Sequence, residues 1–170
     1  MIYLATDHRG FDLKEKIKTW LTEWGYEYED MGALVYDEND DYPDFAHKAA
    51  EMVANYPERS RGIILGGSGQ GEAMVANRYK GVRAAVFYGP SLGKKVSWYF
   101  LGNGFLFGKI TRLAKELEKV IKLSREHNSA NVLSLGASFL DEKTARDAIK
   151  LWLETPFSGD ERHKRRIAKF

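Results

Sequence analysis

The chain has 170 residues, of which 26 are Lys or Arg and 24 are Asp or Glu, so its formal net charge at pH 7 is only +2. A charge so close to zero gives no electrostatic preference for nucleic acid or for a membrane surface, and we expect neither as a partner. Hydrophobic residues make up 44% of the chain and charged residues 29%, which is typical of one globular domain. The absence of cysteine excludes a disulfide framework, a thiolate zinc site, an iron–sulfur cluster and a cysteine nucleophile.

The N-terminal residues indicate where in the cell the protein is located. Asp7, His8 and Arg9 follow after only six residues, which leaves no room for the apolar segment of a secretory signal. We therefore predict a cytoplasmic protein. The most apolar stretch, roughly residues 86–107, contains two lysines and four glycines, which argues against a membrane span.

Short apolar runs alternate along the chain with longer stretches of helical period, a pattern typical of a parallel sheet covered by helices on both faces. We predict strands near Ile2–Thr6, Glu27–Met31, Gly62–Gly66, Arg83–Tyr88 and Val132–Gly136. Helices are predicted over residues 12–24, with Asp12 as N-cap and Gly25 as the stop, after Tyr42-Pro43, after the glycines at 66–71, over 141–154 and over 162–169. Residues 91–122 contain an aromatic patch divided by Gly102-Asn103-Gly104 and predict helix, turn, helix.

A glycine-rich loop, Gly66-Gly67-Ser68-Gly69-Gln70-Gly71-Glu72, follows the third strand and opens a helix. At the carboxyl edge of a parallel sheet, such a loop lets backbone amides approach an anion or a developing oxyanion. The spacing disfavours dinucleotide and nucleoside triphosphate sites, because position 72 is Glu and no Lys-Ser/Thr pair follows Gly71. Glu72 is either a base that abstracts a proton or a carboxylate that complements the helix dipole, and the spacing alone favours the second.

Three further polar clusters stand at predicted element ends: Asp7-His8-Arg9-Gly10, Ser124-Arg125-Glu126-His127-Asn128 and Arg162-His163-Lys164-Arg165-Arg166. Arg162 and Arg166 are one helical turn apart, a spacing that suits a phosphate. Taken singly, the clusters are equally consistent with a solvated loop, a polar helix end and a basic tail. With four histidines and none paired at ligand spacing we predict no metal, although Mg²⁺ held by carboxylates stays open.

Together these segments resemble the ribose-5-phosphate isomerase B family, which also includes galactose-6-phosphate isomerase subunits. The matching motifs are Asp7-His8-x-Gly10-Phe11, Asp41-Tyr42-Pro43, Gly67-Ser68-Gly69-x-Gly71, Ala76-Asn77 with Gly81-x-Arg83-Ala84, Ser124-Arg125-x-His127-Asn128, and Thr155-Pro156-Phe157 through Arg162-His163-x-x-Arg166. The resemblance implies a Rossmann-like three-layer α/β/α sandwich with a mainly parallel five-stranded sheet. It also implies a homodimer or homotetramer with shared active sites and cofactor-independent aldose–ketose isomerisation of a sugar phosphate through an enediolate.

The resemblance also assigns roles to residues. Many members have a Cys base just before the glycine loop, where this chain has Gly66, and another branch uses Glu at the position of Glu72. The implied catalytic residues are Glu72 as base, Ser68 and the loop amides as enediolate stabilisers, and Asp7 with the partner's His127 in ring opening. The implied substrate-binding residues are His8, Tyr42, Gly67, Gly69, Gly71, Asn128, Arg162 and Arg166, with Asn128 and both arginines supplied across the subunit contact.

Two departures from the family pattern concern the substrate. Members commonly carry a phosphate-binding Arg where this chain has Ser138, and 32 residues separate Pro90 from Leu123 where members have only a few. We interpret residues 91–122 as an insertion into the single domain 1–170. Three roles stay open for it: it reshapes the pocket, it replaces the lost cation through Lys94, Lys95 or Lys109, or it alters subunit assembly. The expected substrates are ribose 5-phosphate and ribulose 5-phosphate. A hexose phosphate, an unphosphorylated sugar and a non-catalytic sugar-phosphate-binding subunit are the alternatives.

Overall fold

The structure, a computed structural model, describes residues 1–89 and 104–170, with the backbone alone for residues 104–114. Five strands form one sheet in the order β2-β1-β3-β5-β4, and every neighbouring pair is parallel. The strands are β1 Ile2–Thr6, β2 Tyr28–Asp30, β3 Arg61–Gly66, β4 Ala84–Phe87 and β5 Val132–Gly136. Each predicted strand is confirmed, with ends that differ by no more than two residues.

Six helices lie in the described part of the chain: α1 Phe11–Glu23, α2 Tyr42–Asn55, α3 Gln70–Ala76, α4 Gly104–Glu126, α5 Glu142–Glu154 and α6 Glu161–Ile167. Single 3-10 turns follow β1 and β5, at His8–Gly10 and Ala137–Phe139. For residues 1–89 and 104–170, no helix is long and apolar enough to cross a bilayer. The α/β class of the expected Rossmann-like sandwich is confirmed.

Two details of the helix prediction change. Asp12 lies in the first turn of α1, whose N-cap is Gly10, so its assignment as N-cap is wrong. The reason is that Asp7 accepts the N–H of Arg9 and starts a 3-10 turn that runs directly into the helix. In the 91–122 segment, α4 begins at Gly104 and continues to Glu126, while the first predicted helix and the turn at 102–103 fall outside the described residues.

Alternating strand residues fill two hydrophobic layers, one on each face of the sheet. Ile2, Leu4, Ile63, Leu65, Leu133 and Leu135 pack against α1, α4 and α5, with Trp20, Ile121, Ile149 and Trp152 on the helix side. Tyr3, Ala5, Ile64 and Val132 pack against the alanines of α2 and against Ala76 of α3. This alternation is expected for a sheet that is buried on both faces.

The sheet order places a topological switch between β1 and β3. The chain leaves β1 for β2 on one side and returns to β3 on the other, so the loops after β1 and β3 diverge around a crevice at the carboxyl edge. Gly10 lets the turn after β1 pack closely on the ends of β1 and β3, because a Cβ there would be 2.3 Å from Thr6 Oγ1 and 2.6 Å from Leu65 Cβ. The fold thus brings the Asp7 loop and the glycine-rich loop to one site.

Candidate active site

The carboxylate of Glu72 folds back over the end of β3. Glu72 stands in the first turn of α3 and is only 4% exposed. A Cβ added to Gly66 would lie 1.5 Å from Glu72 Oε1 and 2.2 Å from Cδ. The Glu72 carboxylate therefore fills the space that a side chain at position 66 would need, and a larger residue there would displace it.

Burial raises the pKa of Glu72, and this effect outweighs the lowering by its own backbone N–H. The nearby carboxylate of Asp7 raises the pKa further. Burial also raises the pKa of Asp7, against the lowering effect of the Arg9 N–H, and the charge of Asp40 adds to the increase. Two neighbouring carboxyl groups with raised pKa values are suited to exchanging protons nearer to neutral pH.

The glycine loop lies flat against the end of β5. Gly69 has a left-handed backbone (φ +75°), and a Cβ there would be 2.9 Å from the carbonyl carbon of Leu135. Ser134 Oγ donates to the Gly69 carbonyl at 2.5 Å, and Ser68 Oγ accepts the N–H of Gln70 at 3.3 Å. The close approach at Gly69 and the hydrogen bond from Ser134 therefore hold the loop against β5, and Ser68 lies in this loop.

Tyr42 closes one side of this loop. It is the first residue of α2, and a Cβ on Gly71 would lie 2.6 Å from both Cζ and the hydroxyl oxygen of Tyr42. The ring is 36% exposed, so one part of it packs on the glycine and the rest remains open to solvent. Tyr42 thus lies beside the loop, and the role in lining the sugar that the resemblance implies for it stays a prediction.

Sequence reasoning missed Asp40, which holds His8. Asp40 Oδ1 lies 2.7 Å from His8 Nδ1 and also accepts the His8 backbone N–H at 3.0 Å. Its side chain is 9% exposed, and its buried Oδ2 has no hydrogen-bond partner among the described residues. Asp7, His8 and Asp40 offer three ligand atoms within 4.8 Å of one another, which is close enough to hold a cation. No local pattern signals this contact, because the two partners are 32 residues apart.

Arg9 also lies at this edge of the sheet. A Cβ on Gly67 would be 3.8 Å from Arg9 Cγ and equally 3.8 Å from Ser138 Oγ, so both side chains flank Gly67. The Ser138 N–H donates to the Gly67 carbonyl at 3.1 Å. The aliphatic part of Arg9 thus lies near the position where the family pattern leads us to expect Arg, and the residue is exposed. Lys94, Lys95 and Lys109, which the sequence suggested as replacements for the missing arginine, lie outside the described side chains.

The other four predicted site residues lie at the amino edge of the sheet, opposite the glycine loop: His127, Asn128, Arg162 and Arg166. The segment that contains His127 and Asn128 precedes β5, and the Ser129 carbonyl accepts from Arg83 Nε just before β4. The His127 ring lies 4.1 Å from the His163 ring of α6, the helix that also carries Arg162 and Arg166. These residues therefore form one surface, which is partly or fully exposed.

The two groups are separated by the length of the strands. β5 alone has five residues, which span roughly 16 Å. Asp7, His8, Tyr42, Ser68 and Glu72 are brought together with the loop glycines within one chain. His127, Asn128, Arg162 and Arg166 are brought together elsewhere, and one chain does not join the two groups.

Comparison with known proteins identifies the family. A sequence model of the ribose/galactose isomerase family matches residues 2–96 and 113–170. The chain belongs to this family. Ribose-5-phosphate isomerase B of Mycolicibacterium paratuberculosis is 35% identical over 166 residues, which cover 98% of this chain and 86% of that protein. The putative sugar phosphate isomerase YwlF of Bacillus subtilis is 32% identical and is covered to 93%, with 99% of this chain aligned.

Solved structures of family members agree with this result. Ribose-5-phosphate isomerase B from Mycoplasma genitalium with bound ribulose 5-phosphate superposes with a TM-score of 0.80 at 33% identity, covering 99% of this chain and 91% of that one. The Clostridium thermocellum ribose-5-phosphate isomerase B gives 0.77 at 33% identity, with coverage of 99% and 93%. The resemblance and the class of enzyme predicted from sequence are thus confirmed: the chain is an aldose–ketose isomerase.

Proposed function

We propose that the isomerase interconverts ribose 5-phosphate and ribulose 5-phosphate, with Glu72 as the base. The observation that carries the proposal is the buried Glu72 carboxylate, held against Gly66 beside Asp7 with its pKa raised. The carboxylate removes the proton from C2 of the open-chain aldose and returns it to C1, while a proton moves from O2 to O1. The Mycoplasma relative that binds ribulose 5-phosphate supports this substrate.

The remaining groups at the carboxyl edge have complementary tasks. Ser68 and the amides of Gly69 and Gly71 stabilise the enediolate oxygen, a contribution commonly worth about 10²–10³ in rate for one donor. Asp7 exchanges the proton that opens the sugar ring, for which its raised pKa is suitable. Tyr42 lines the sugar, and His8 and Arg9 bind the phosphate.

The proposed site needs a second copy of the chain. The partner's His127 and the partner's Asn128 complete the reacting end, and the partner's Arg162 and Arg166 complete the phosphate end. The separation of these residues from Glu72 within one chain supports a homodimer, or a homotetramer built from such dimers. A symmetric contact that brings opposite sheet edges together creates two equal sites.

The proposal also covers the inserted segment, the metabolic pathway and the cellular location. The family model leaves residues 97–112 unmatched, which supports an insertion within the proposed segment at about 91–122. A ribose 5-phosphate isomerase belongs in the pentose phosphate pathway, and we retain the cytoplasm as its predicted location.

The second candidate substrate is a hexose phosphate or an unphosphorylated sugar. It stays open because Ser138, and not Arg, stands near Gly67 at the phosphate end of the proposed site.

The test combines isotope exchange with substitution. In deuterated water, wild-type enzyme incorporates solvent deuterium at C2 of the aldose, and Glu72→Gln loses about 10²–10⁴ of the rate. The control is Glu51→Gln on the exposed face of α2, which leaves the rate unchanged. Normal turnover by Glu72→Gln contradicts the mechanism. Absence of exchange with every pentose and hexose phosphate contradicts the proposal and favours a non-catalytic subunit.

The substrate is tested separately. Initial rates are compared for ribose 5-phosphate, a hexose 6-phosphate and unphosphorylated ribose at equal concentrations. We expect the highest kcat/KM for ribose 5-phosphate, because cations flank the phosphate end. A higher kcat/KM for either other sugar transfers the proposal to that substrate while the proton-transfer chemistry stands.

A further inference from the structure

A cavity of about 300 Å³ lies at the amino edge of the sheet, opposite the candidate active site. Four of its lining residues stand at the beginnings of four strands: Met1 before β1, Arg61 at the start of β3, Arg83 before β4 and Asn131 before β5. The proposed isomerase mechanism uses none of its lining residues. Its volume is at the lower end of the range for small-molecule sites.

The cavity is lined by four arginines and one acid. Arg59, Arg61, Arg83 and Arg125 line the cavity, and Glu58 is the one acid among the described residues that line it. The Glu58 side chain is 80% exposed and, among the described residues, forms an ion pair with Arg83 alone, at 3.7 Å. Within residues 1–89 and 115–170, Arg61 and Arg125 form no ion pair. The local charge is therefore strongly positive in a protein whose net charge is only +2.

Burial makes this concentration of charge costly. Arg125 is 6% exposed, and burial together with the charges of Arg61 and Arg83 lowers its pKa to about 10. The pKa of Arg61 is also lowered by burial. Both guanidinium groups lie 5.5 Å from the ring of Trp152, which offers an aromatic face but no negative charge.

Carbonyl oxygens compensate only part of this charge. Arg61 donates to the Leu153 carbonyl and Arg125 Nε to the Thr155 carbonyl, both at the C-terminal end of α5. Arg125 Nη1 also donates to the Ala130 carbonyl. Arg83 donates to the Ser129 and Gly81 carbonyls. A helix C-terminus is equivalent to roughly half a negative charge, which is small against three guanidinium groups. The arrangement leaves a cavity in which an anion gains from several donors at once.

We propose that this cavity is a second ligand site, distinct from the isomerase site, that binds a small phosphate-type anion: inorganic phosphate or the phosphate group of a monoester. Guanidinium groups present paired N–H donors that match phosphate oxygens, and desolvation strengthens such charge-assisted hydrogen bonds. The site is contained in one chain and does not depend on the assignment of Glu72.

Calorimetric titration of the full-length protein with inorganic phosphate at low ionic strength tests the site. Phosphate binding to wild type is expected to weaken about tenfold or more in Arg61→Gln, which removes one charged donor. It is expected to tighten about twofold to fivefold in Glu58→Gln, which removes the competing acid. Arg166→Gln, which lies outside the cavity lining, is expected to retain this class of binding. Isomerase activity is expected to be unchanged in Arg61→Gln and Glu58→Gln.

The outcomes separate clearly. If wild type binds no phosphate beyond what Arg166→Gln abolishes, or if both cavity variants titrate as wild type does, the proposal is overturned. If Arg61→Gln proves misfolded by circular dichroism, Glu58→Gln decides alone, because its exposed side chain is not needed for folding. Repeating the titration with ribose 5-phosphate on Arg166→Gln distinguishes a monoester from free phosphate as the tighter ligand.

Discussion

The carboxylate of Glu72 and a side chain at position 66 exclude each other. A Cβ on Gly66 would lie 1.5 Å from Glu72 Oε1. We predict that Gly66→Ala displaces the carboxylate, lowers kcat as strongly as Glu72→Gln does, and lowers the free energy of unfolding by about 1–3 kcal/mol, as overpacked cores do. Steady-state kinetics and thermal melting measure both effects.

The double variant Gly66→Ala/Glu72→Ala is the control for this clash. Removing the carboxylate makes room for the added methyl group, so the melting temperature recovers while the activity does not. A single Gly66→Ala variant with wild-type kcat would show that the carboxylate works equally well in another position.

The raised pKa of Glu72 predicts how stability depends on pH. The folded-state pKa lies above the ordinary value of 4.5, so the folded chain holds its proton more tightly than the unfolded chain does. The stabilisation that comes from this tighter proton binding is complete below the pKa that Glu72 has in the unfolded chain. It is lost as the pH rises through the pKa that Glu72 has in the folded chain. We therefore expect Glu72→Gln to melt at a higher temperature than wild type at pH 7–8.

Melting curves recorded from pH 4 to pH 8 check this prediction. The difference between Glu72→Gln and wild type should shrink as the pH falls below 4.5, where the glutamate becomes mostly protonated in the unfolded chain as well as in the folded one. Glu51→Gln serves as the exposed control and should follow wild type throughout. A constant difference across the pH range would mean that the effect comes from packing and not from ionisation.

Sequence pattern predicted the sheet and the location of the site but not its long-range side-chain contacts. Alternating apolar runs identify buried strands, and glycines at strand ends identify the ligand edge. The contact between His8 and Asp40 depends on how the segment after β2 folds back, which no local period encodes. The same applies to Lys14, which is fully buried on α1 and bonded to Asp30 at 2.5 Å. Whether burial or the helix terminus determines the pKa of Glu72 also required the fold.

Arg9 is predicted to bind the phosphate at the edge where Ser138 stands. Both side chains flank Gly67, and Arg9 is exposed. Arg9→Gln should raise KM for ribose 5-phosphate about tenfold or more with little change in kcat, because a charge-assisted contact is lost. Arg146→Gln is the control, since its pair with Glu23 is exposed and remote. An equal effect of Arg9→Gln on unphosphorylated ribose would contradict a phosphate contact.

Asp40 is predicted to act as a positioning residue for His8. It holds both the ring and the backbone N–H of His8, at 2.7 Å and 3.0 Å. Asp40→Ala frees the imidazole, so KM for ribose 5-phosphate should rise about tenfold while kcat falls much less. Asp40→Asn keeps an acceptor oxygen and should recover most of the loss in KM. If both variants lower kcat and leave KM unchanged, Asp40 serves the reacting end of the sugar and not the phosphate.

Subunit mixing tests the shared site. Within one chain, Glu72 and His127 lie at opposite edges of the sheet. Because each site needs both residues, Glu72→Gln and His127→Asn should each be inactive alone. A mixed dimer contains one intact site, with its Glu72 and His127 from different subunits, and one site with both defects. Random exchange of equal amounts should therefore restore about a quarter of wild-type activity. Mixing Glu72→Gln with the double variant Glu72→Gln/His127→Asn is the control, because no combination of these chains contains an intact site. Failure to recover activity, with subunit exchange shown by native mass spectrometry, would mean that His127 does not act across the contact.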